Sequence, residues 1–375
     1  MKRLFWLLPA FISLLFHIFV GFLPTFAAET APFSLSAQSY ALLDAQSRTL
    51  LCAKGERLRL PMASTTKIMT ALVALEALPL DTVITVPREA VGIEGSSVYL
   101  CEGDRYTLEE LLYALLLQSA NDAAAAIALA VGGSLPRFAE KMNAKADEIG
   151  LDGTHFVTPH GLDDPQHYTT AEDLGLVACE ALSDPTFARI VATRRHTFTT
   201  VEGEKPRVLL NHNKLLVFYE GTVGVKTGFT KKSGRCLVSA ARRDGLLLVA
   251  VTLNAPSDWS DHTRLFDYGF ENYESRLLAA PHTLSYTLSV FNTDRAVTVT
   301  NPDEIRMTLR RTDPTPTPSL ALYPHPLAPL TEGSTAGYVL YSHRDTTLSF
   351  PLTFRESVAL PKIKKGWFDI FRKKA

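Results

Sequence analysis

The stretch Pro61-Met-Ala-Ser-Thr-Thr-Lys-Ile-Met-Thr70 opens a run that stays apolar through Ala71, Leu72, Val73 and Leu75 and stops at Pro79. Apolar side chains on nearly every side predict a helix from about Ala63 to Leu78, buried in the middle of a domain. Ser64 and Lys67 stand at its start, three residues apart and therefore on one face. A serine hydroxyl is a poor nucleophile until a neighbour takes its proton. A lysine can take it only when neutral, so its reference pKa of about 10.4 must be lowered by burial or by a second cation. The helix N-terminus also directs backbone N–H groups at any oxyanion formed there. Alone, a Ser-x-x-Lys occurs about once by chance in a chain of this length. A helix-capping serine with a solvated lysine explains it equally well.

Working outward, two more motifs keep it company. Ser119-Ala-Asn121 interrupts helical sequence, and Lys226-Thr-Gly228 lies on a strand. Before the central run, Ser39–Leu43 and Thr49–Ala53 flank a turn at Asp44–Ser47 and read as a hairpin. After it, Thr107-Leu-Glu-Glu110 is a capping box opening a helix through Leu117, and Asp122–Ile127 starts another that ends at Gly132-Gly133. Thr169-Thr-Ala-Glu172 reads as a further capping box, with its helix ending near Pro185. The pattern then turns to strands at 222–230, 235–241 and 246–253, the last two joined by the hairpin turn Asp244-Gly245. A short helix at 260–268 closes this mixed α and β unit.

Beyond residue 277 short alternating runs at 285–290, 296–300, 337–341 and 347–350 predict a small all-β domain, with Pro314–Pro318 a loop. It carries no clustered acids, histidine pair or phosphate loop. The chain of 375 residues is 46% hydrophobic and 21% charged, enough for two domains with real cores. A net charge of −1 gives no electrostatic case for nucleic acid. At the N-terminus, Lys2 and Arg3 precede an apolar run from Leu4 to Leu23, then small residues at Thr25, Ala27 and Ala28. That is the layout of a secretory signal peptide cleaved after Ala27; a retained membrane anchor is the competing reading. Either way the remainder is exported. At the other end Lys362, Lys364, Lys365, Arg372, Lys373 and Lys374 accompany Ile363, Trp367, Ile370 and Phe371 at helical spacing. Such a tail suits the headgroup region of an anionic membrane. Cys52, Cys101, Cys179 and Cys236 show no Cys-x-x-Cys spacing, which speaks against zinc. Disulfides and buried free thiols both remain open.

The order and setting of the three motifs resemble the serine-type D-alanyl-D-alanine carboxypeptidases, the low-molecular-mass penicillin-binding proteins. Pro61–Thr70, Gly95-Ser-Ser-Val-Tyr-Leu100, Leu111–Asp122, Pro159-His-Gly-Leu162 and Gly224-Val-Lys-Thr-Gly-Phe-Thr230 all look like segments of that family. The resemblance implies an α+β fold: a penicillin-binding or serine β-lactamase-like catalytic domain at 28–276, its antiparallel sheet flanked by helices. A small β domain at 277–360 and a basic amphipathic tail at 361–375 follow, and 1–27 is the signal peptide. It implies Ser64 as the acylated nucleophile, Lys67 as general base and Ser119 as proton relay to the leaving D-alanine. Asn121, Lys226, Thr227, Gly228 and Phe229 bind substrate, with the backbone N–H groups of Ser64 and Phe229 as oxyanion hole. No metal or cofactor is implied. The implied partners are peptidoglycan stem peptides and β-lactams, and a membrane surface through the tail. His160 reads as structural, and His212 stays outside the catalytic set. A serine β-lactamase, a DD-endopeptidase and a non-catalytic envelope scaffold are the rival readings. The trailing β domain, the absence of a convincing deacylating glutamate and the intact Ser64, Lys67, Ser119 and Lys226 favour the carboxypeptidase.

Overall fold

The structure, a computed structural model, describes residues 30–344 and 346–360. The expected signal peptide and basic tail lie outside the described residues. The chain divides into two compact units: Ala28–Ser275 with Thr308–Thr312, and Arg276–Met307 with the chain from Asp313 onward.

In chain order the larger unit begins with β1 (Ser39–Asp44) and β2 (Leu50–Lys54). A 3-10 turn (Ala63–Thr66) runs directly into α1 (Lys67–Ala77), and the short strands β3 (Val83–Thr85) and β4 (Arg105–Thr107) follow. Next come α2 (Leu108–Leu117), α3 (Asn121–Gly132), α4 (Leu135–Ile149), α5 (Ala171–Ser183) and α6 (Pro185–Ala192). The hairpin β5 (Arg195–Phe198) and β6 (Arg207–Leu210) leads through the one-turn α7 (Leu215–Phe218) to β7 (Thr222–Thr230), β8 (Gly234–Arg243), β9 (Leu246–Leu253) and α8 (Asp258–Asn272). The central sheet is antiparallel in the order β2-β1-β9-β8-β7, which leaves β7 as an edge. Both sheet faces are buried. Tyr40, Leu42, Leu237, Leu248 and Ala250 pack with Leu265 and Phe266 of α8 on one side. Ala41, Leu43, Val225, Val238, Val249 and Val251 join α1, α2, α3 and α5 on the other. This explains why β1 and β9 read as near-continuous apolar runs instead of alternating ones. Each such Leu or Val contributes about 1.5–3 kcal/mol on burial, so the sheet is a fixed platform for whatever its edge carries.

Local chemistry departs from expectation in a few places. Thr107 caps α2 by accepting from Glu110 N at 3.2 Å. The Glu110 carboxylate does not return to the cap, because it is taken by His196 Nε2 at 3.0 Å and Thr199 N at 3.3 Å. The cap of α5 is Thr170, which accepts from Asp173 N at 3.0 Å. Thr169 is held one residue earlier in a backbone bridge with Leu60. Pro185 starts α6 where it was expected only to end a helix. Asp184 caps α6 through Thr186 N at 2.7 Å and Phe187 N at 2.9 Å, and proline suits a first helical position that needs no N–H. The helix α4 was not anticipated, although Ser134 caps it, Gly150 ends it and Phe138, Met142 and Ala146 bury one face.

In the smaller unit, β10 (Tyr273–Ala279) and β13 (Ile305–Arg310) are strands within which the unit bounds fall. A sheet runs in the order β11-β12-β16-β15-β14, built from β11 (Ser285–Ser289), β12 (Ala296–Thr300), β14 (Pro318–Leu322), β15 (Thr335–His343) and β16 (Thr346–Phe354). The unit is all-β, with Val297, Val299, Val339, Tyr341, Leu352 and Phe354 buried. Pro318 heads the edge strand β14, where a missing N–H costs no ladder bond. All four cysteines are free thiols; Cys52, Cys179 and Cys236 are buried and Cys101 is exposed. Among the described residues no helix is long and apolar enough to cross a membrane.

Candidate active site

Ser64 sits half-buried in the 3-10 turn, one residue after Ala63, whose φ of 49° lies in the left-handed region. Such a conformation costs a non-glycine residue about 1–2 kcal/mol and persists only where the surroundings hold it. Here two hydroxyls do so. Thr65 Oγ1 donates to Met62 O at 2.6 Å and Thr66 Oγ1 to Ala63 O at 2.7 Å.

Lys67, first residue of α1, is fully buried. Its Nζ lies 2.9 Å from Ser64 Oγ, 2.7 Å from Asn121 Oδ1 and 2.7 Å from the His160 carbonyl oxygen. Burial holds its pKa well below the ordinary lysine value; the Lys226 charge lowers it further and the buried Asp122 carboxylate opposes. A neutral amine has two N–H bonds and one lone pair. Asn121 and His160 supply two acceptors, so the lone pair is left facing Ser64.

The edge strand β7 carries Lys226, Thr227, Gly228 and Phe229. Lys226 is 1% exposed, and burial pushes its pKa down to about 7. Its Nζ donates to Thr227 O at 2.9 Å and approaches Thr227 Oγ1 at 3.5 Å. The strand runs hard against the 3-10 turn. A Cβ on Gly228 would stand 3.1 Å from Met62 O, Ser64 N and Thr65 N, so only glycine lets the two backbones meet without displacement. Phe229, next along the strand, is 64% exposed.

Ser119 and Asn121 sit where α2 ends and α3 begins. Ser119 is buried with a φ of 61°, and Asn121 is the first residue of α3. The Asn121 amide is fixed from behind, its Nδ2 donating to Glu94 O at 2.5 Å and its backbone N to Ser96 O at 2.7 Å. Among the described residues, side-chain hydrogen bonds join Ser64, Lys67 and Asn121 but do not tie Ser119 or Phe229 to them.

Several residues that position the site escaped the sequence reading. Asp122, buried beside Asn121, accepts from Ser97 Oγ at 2.6 Å, Val98 N at 3.3 Å and Leu100 N at 3.0 Å. It thereby shapes the loop that holds Asn121. Gly95 (φ 94°) lies against that loop: a Cβ there would come within 2.7 Å of Asn121 Nδ2. His160 contributes its carbonyl, while its buried ring accepts from Leu162 N at 3.3 Å with its pKa lowered to about 3 by burial first and the Lys67 charge second. A side-chain search cannot find a backbone acceptor. Asp163 also gains a partner, accepting from Thr230 Oγ1 at 2.9 Å at the end of β7. His212 is exposed, and its pKa is lowered by desolvation first and by Lys226 second.

A sequence profile of the D-alanyl-D-alanine carboxypeptidase family matches residues 25–257. The chain is 32% identical over 286 residues to the D-alanyl-D-alanine carboxypeptidase DacF of Bacillus subtilis, covering 74% of this chain and 73% of that protein. It is 36% identical over 242 residues to DacB2 of Mycobacterium tuberculosis, covering 62% of this chain and 82% of that one. Penicillin-binding protein 5 of Haemophilus influenzae superposes with a TM-score of 0.71 at 26% identity, over 88% of this chain and 99% of that structure. The profile spans more than half of the chain, and the buried lysine beside Ser64 gives the match a chemical basis. The chain belongs to the D-alanyl-D-alanine carboxypeptidase family.

Proposed function

We propose that Ser64 is the residue acylated when this serine DD-carboxypeptidase removes the terminal D-alanine from peptidoglycan pentapeptide stems. Neutral Lys67 takes the Ser64 proton as Oγ bonds to the carbonyl carbon of the penultimate D-alanine. The resulting oxyanion is received by the backbone N–H groups of Ser64 and Phe229. As the C–N bond breaks, the leaving D-alanine nitrogen takes a proton from Lys67 through Ser119. Lys67, neutral again, then takes a proton from a water that adds to the ester carbonyl, and as the C–Oγ bond breaks it returns that proton to Ser64 Oγ. Asn121 receives the substrate amide, Thr227 the terminal carboxylate, and Lys226 adds positive potential once that carboxylate sits beside it. Gly228 lets the peptide lie along the edge of β7. β-Lactams acylate the same serine. The observation that carries this reading is the amine of Lys67, whose two fixed acceptors leave its lone pair for Ser64.

The test uses the chain without residues 1–27, given a pentapeptide ending in D-Ala-D-Ala and, separately, a labelled penicillin. Release of one D-alanine and a stable penicillin adduct on Ser64, both lost in Ser64→Ala, are expected. Fast penicillin turnover without D-alanine release would make it a β-lactamase. Inertness toward both would leave a scaffold or a cross-linked substrate.

The export layout of residues 1–27 supports action outside the cytoplasm, at the cell envelope. The alternation of lysines with Ile363, Trp367, Ile370 and Phe371 supports attachment of the tail to anionic lipid. Deleting residues 362–375 is expected to release the protein from anionic vesicles; flotation assays showing unchanged binding would refute the tail's role.

A further inference from the structure

We propose that His167 is a positioning residue that locks the Ser64 turn to the loop presenting the His160 carbonyl to Lys67. The inference rests on the acyl-serine reading above and deepens it. His167 is 3% exposed and lies on a different segment from every motif residue. Its neighbours tie it into the fold: His155 and Tyr168 bridge by backbone bonds of 2.9 and 3.1 Å, and Phe156 meets the His167 ring edge-on with centroids 5.9 Å apart.

The ring has partners at both nitrogens, and they define one tautomer. Nδ1 accepts from Val157 N at 2.9 Å and, more weakly, from Thr158 N at 3.4 Å. Nδ1 therefore carries no proton. Nε2 carries it and donates to Thr66 Oγ1 at 2.8 Å. Thr66 Oγ1 in turn donates to Ala63 O at 2.7 Å. The ring is held neutral, its pKa lowered to about 4 by burial first. That keeps the tautomer fixed at neutral pH.

Each arm ends on a catalytic element. Through Thr66 the ring restrains Ala63, the residue with the left-handed backbone immediately before Ser64. Through Val157 and Thr158 it restrains the start of the loop 157–161. That loop is pinned from its other side by Thr70 Oγ1 donating to Pro159 O at 2.5 Å, and it delivers the His160 carbonyl to Lys67 at 2.7 Å. Nucleophile and base-orienting acceptor therefore share one rigid strut. If the strut slackens, the Ser64 Oγ and the Lys67 lone pair lose their common geometry, and a misplacement of about 1 Å can cost about 10²-fold in rate. Substrate contacts on β7 are untouched, so binding should hold while chemistry slows.

The test compares wild type, Thr66→Val, Thr66→Ser and His167→Asn in the full chain. Acylation by labelled penicillin is expressed per titratable serine, so that any unfolded fraction drops out, and kcat and KM are measured on the pentapeptide. Thr66→Val breaks the relay at its midpoint, while Thr66→Ser keeps the hydroxyl. Thr66→Val and His167→Asn are expected to lower the acylation rate and kcat by about 10- to 100-fold with KM within about twofold, and Thr66→Ser to restore most of the rate. Acylation by Thr66→Val and His167→Asn within about twofold of wild type overturns the proposal. If His167→Asn does not fold, the Thr66 pair decides alone. A wild-type protein that fails to acylate refutes instead the acyl-serine reading.

Discussion

Replacing Lys67 by methionine is expected to slow acylation of Ser64 by about 10²–10⁴-fold while the protein keeps its fold, the range in which a positioned general base acts. The side chains have similar length, so methionine fills the same space. Asn121 Oδ1 and the His160 carbonyl each lose a donor, which costs about 1–3 kcal/mol apiece. Against that, a buried amine is removed, and burying it was itself unfavourable, as its lowered pKa records. Large loss of rate with small loss of stability is therefore the expected signature. Labelled-penicillin kinetics and a thermal melt on one sample measure both, and acylation within about tenfold of wild type would remove Lys67 from the role of base.

Two pH effects accompany this variant. In wild type the acylation rate should fall as pH drops through the lowered pKa of Lys67, because only the neutral amine accepts a proton; the residual rate of Lys67→Met should lack that limb. Stability carries the other. Lys67 and Lys226 are both depressed in the folded state, Lys226 to about 7, against an unfolded value of about 10.4. Between those values the unfolded chain binds more protons. Stability therefore rises with pH across that window, and the contribution is lost as pH falls through the folded pKa. Lys67→Met should flatten the rise.

What the sequence disclosed follows from where the information is stored. The pairing of Ser64 with Lys67 was legible because the two stand three residues apart on one turn; the arrival of Asn121 beside Lys67 was expected only from the family resemblance. The strand at 246–253 was legible because burial on both faces writes a nearly unbroken apolar run. The helix α4 was in fact spelled in the sequence, by the Ser134 cap, the apolar spacing of Phe138, Met142 and Ala146 and the Gly150 stop, and was passed over. The half-made capping box at Thr107 failed for a tertiary reason: Glu110 found His196, which is distant in sequence. The same holds at the site. The His160 carbonyl, the Glu94 carbonyl and the close approach at Gly161 are properties of backbone paths, which residue types do not spell.

Gly161 gives the second large effect. Its φ is 86°, and a Cβ built there would stand 1.9 Å from Ala63 O and 2.8 Å from Thr66 Oγ1. The first obstacle is backbone, so no side-chain rotation relieves it. Either the Ser64 turn or the loop carrying His160 must move. Gly161→Ala should therefore lose stability by about 4 kcal/mol or more, in the range reserved for specific steric or strain failures. In whatever fraction remains folded, the rate per titratable serine should drop about 10²-fold, since either movement separates Ser64 from the oriented amine. A control separates clash from conformation. Gly203 also has a positive φ, 76°, but nothing lies within 4 Å of a Cβ there. Gly203→Ala should pay only the left-handed penalty of about 1–2 kcal/mol and acylate at the wild-type rate. Denaturant melts and penicillin titration of the two variants make the comparison. If Gly161→Ala behaves like Gly203→Ala in both, the junction between the His160 loop and the Ser64 turn is soft, and the orientation of Lys67 does not depend on it.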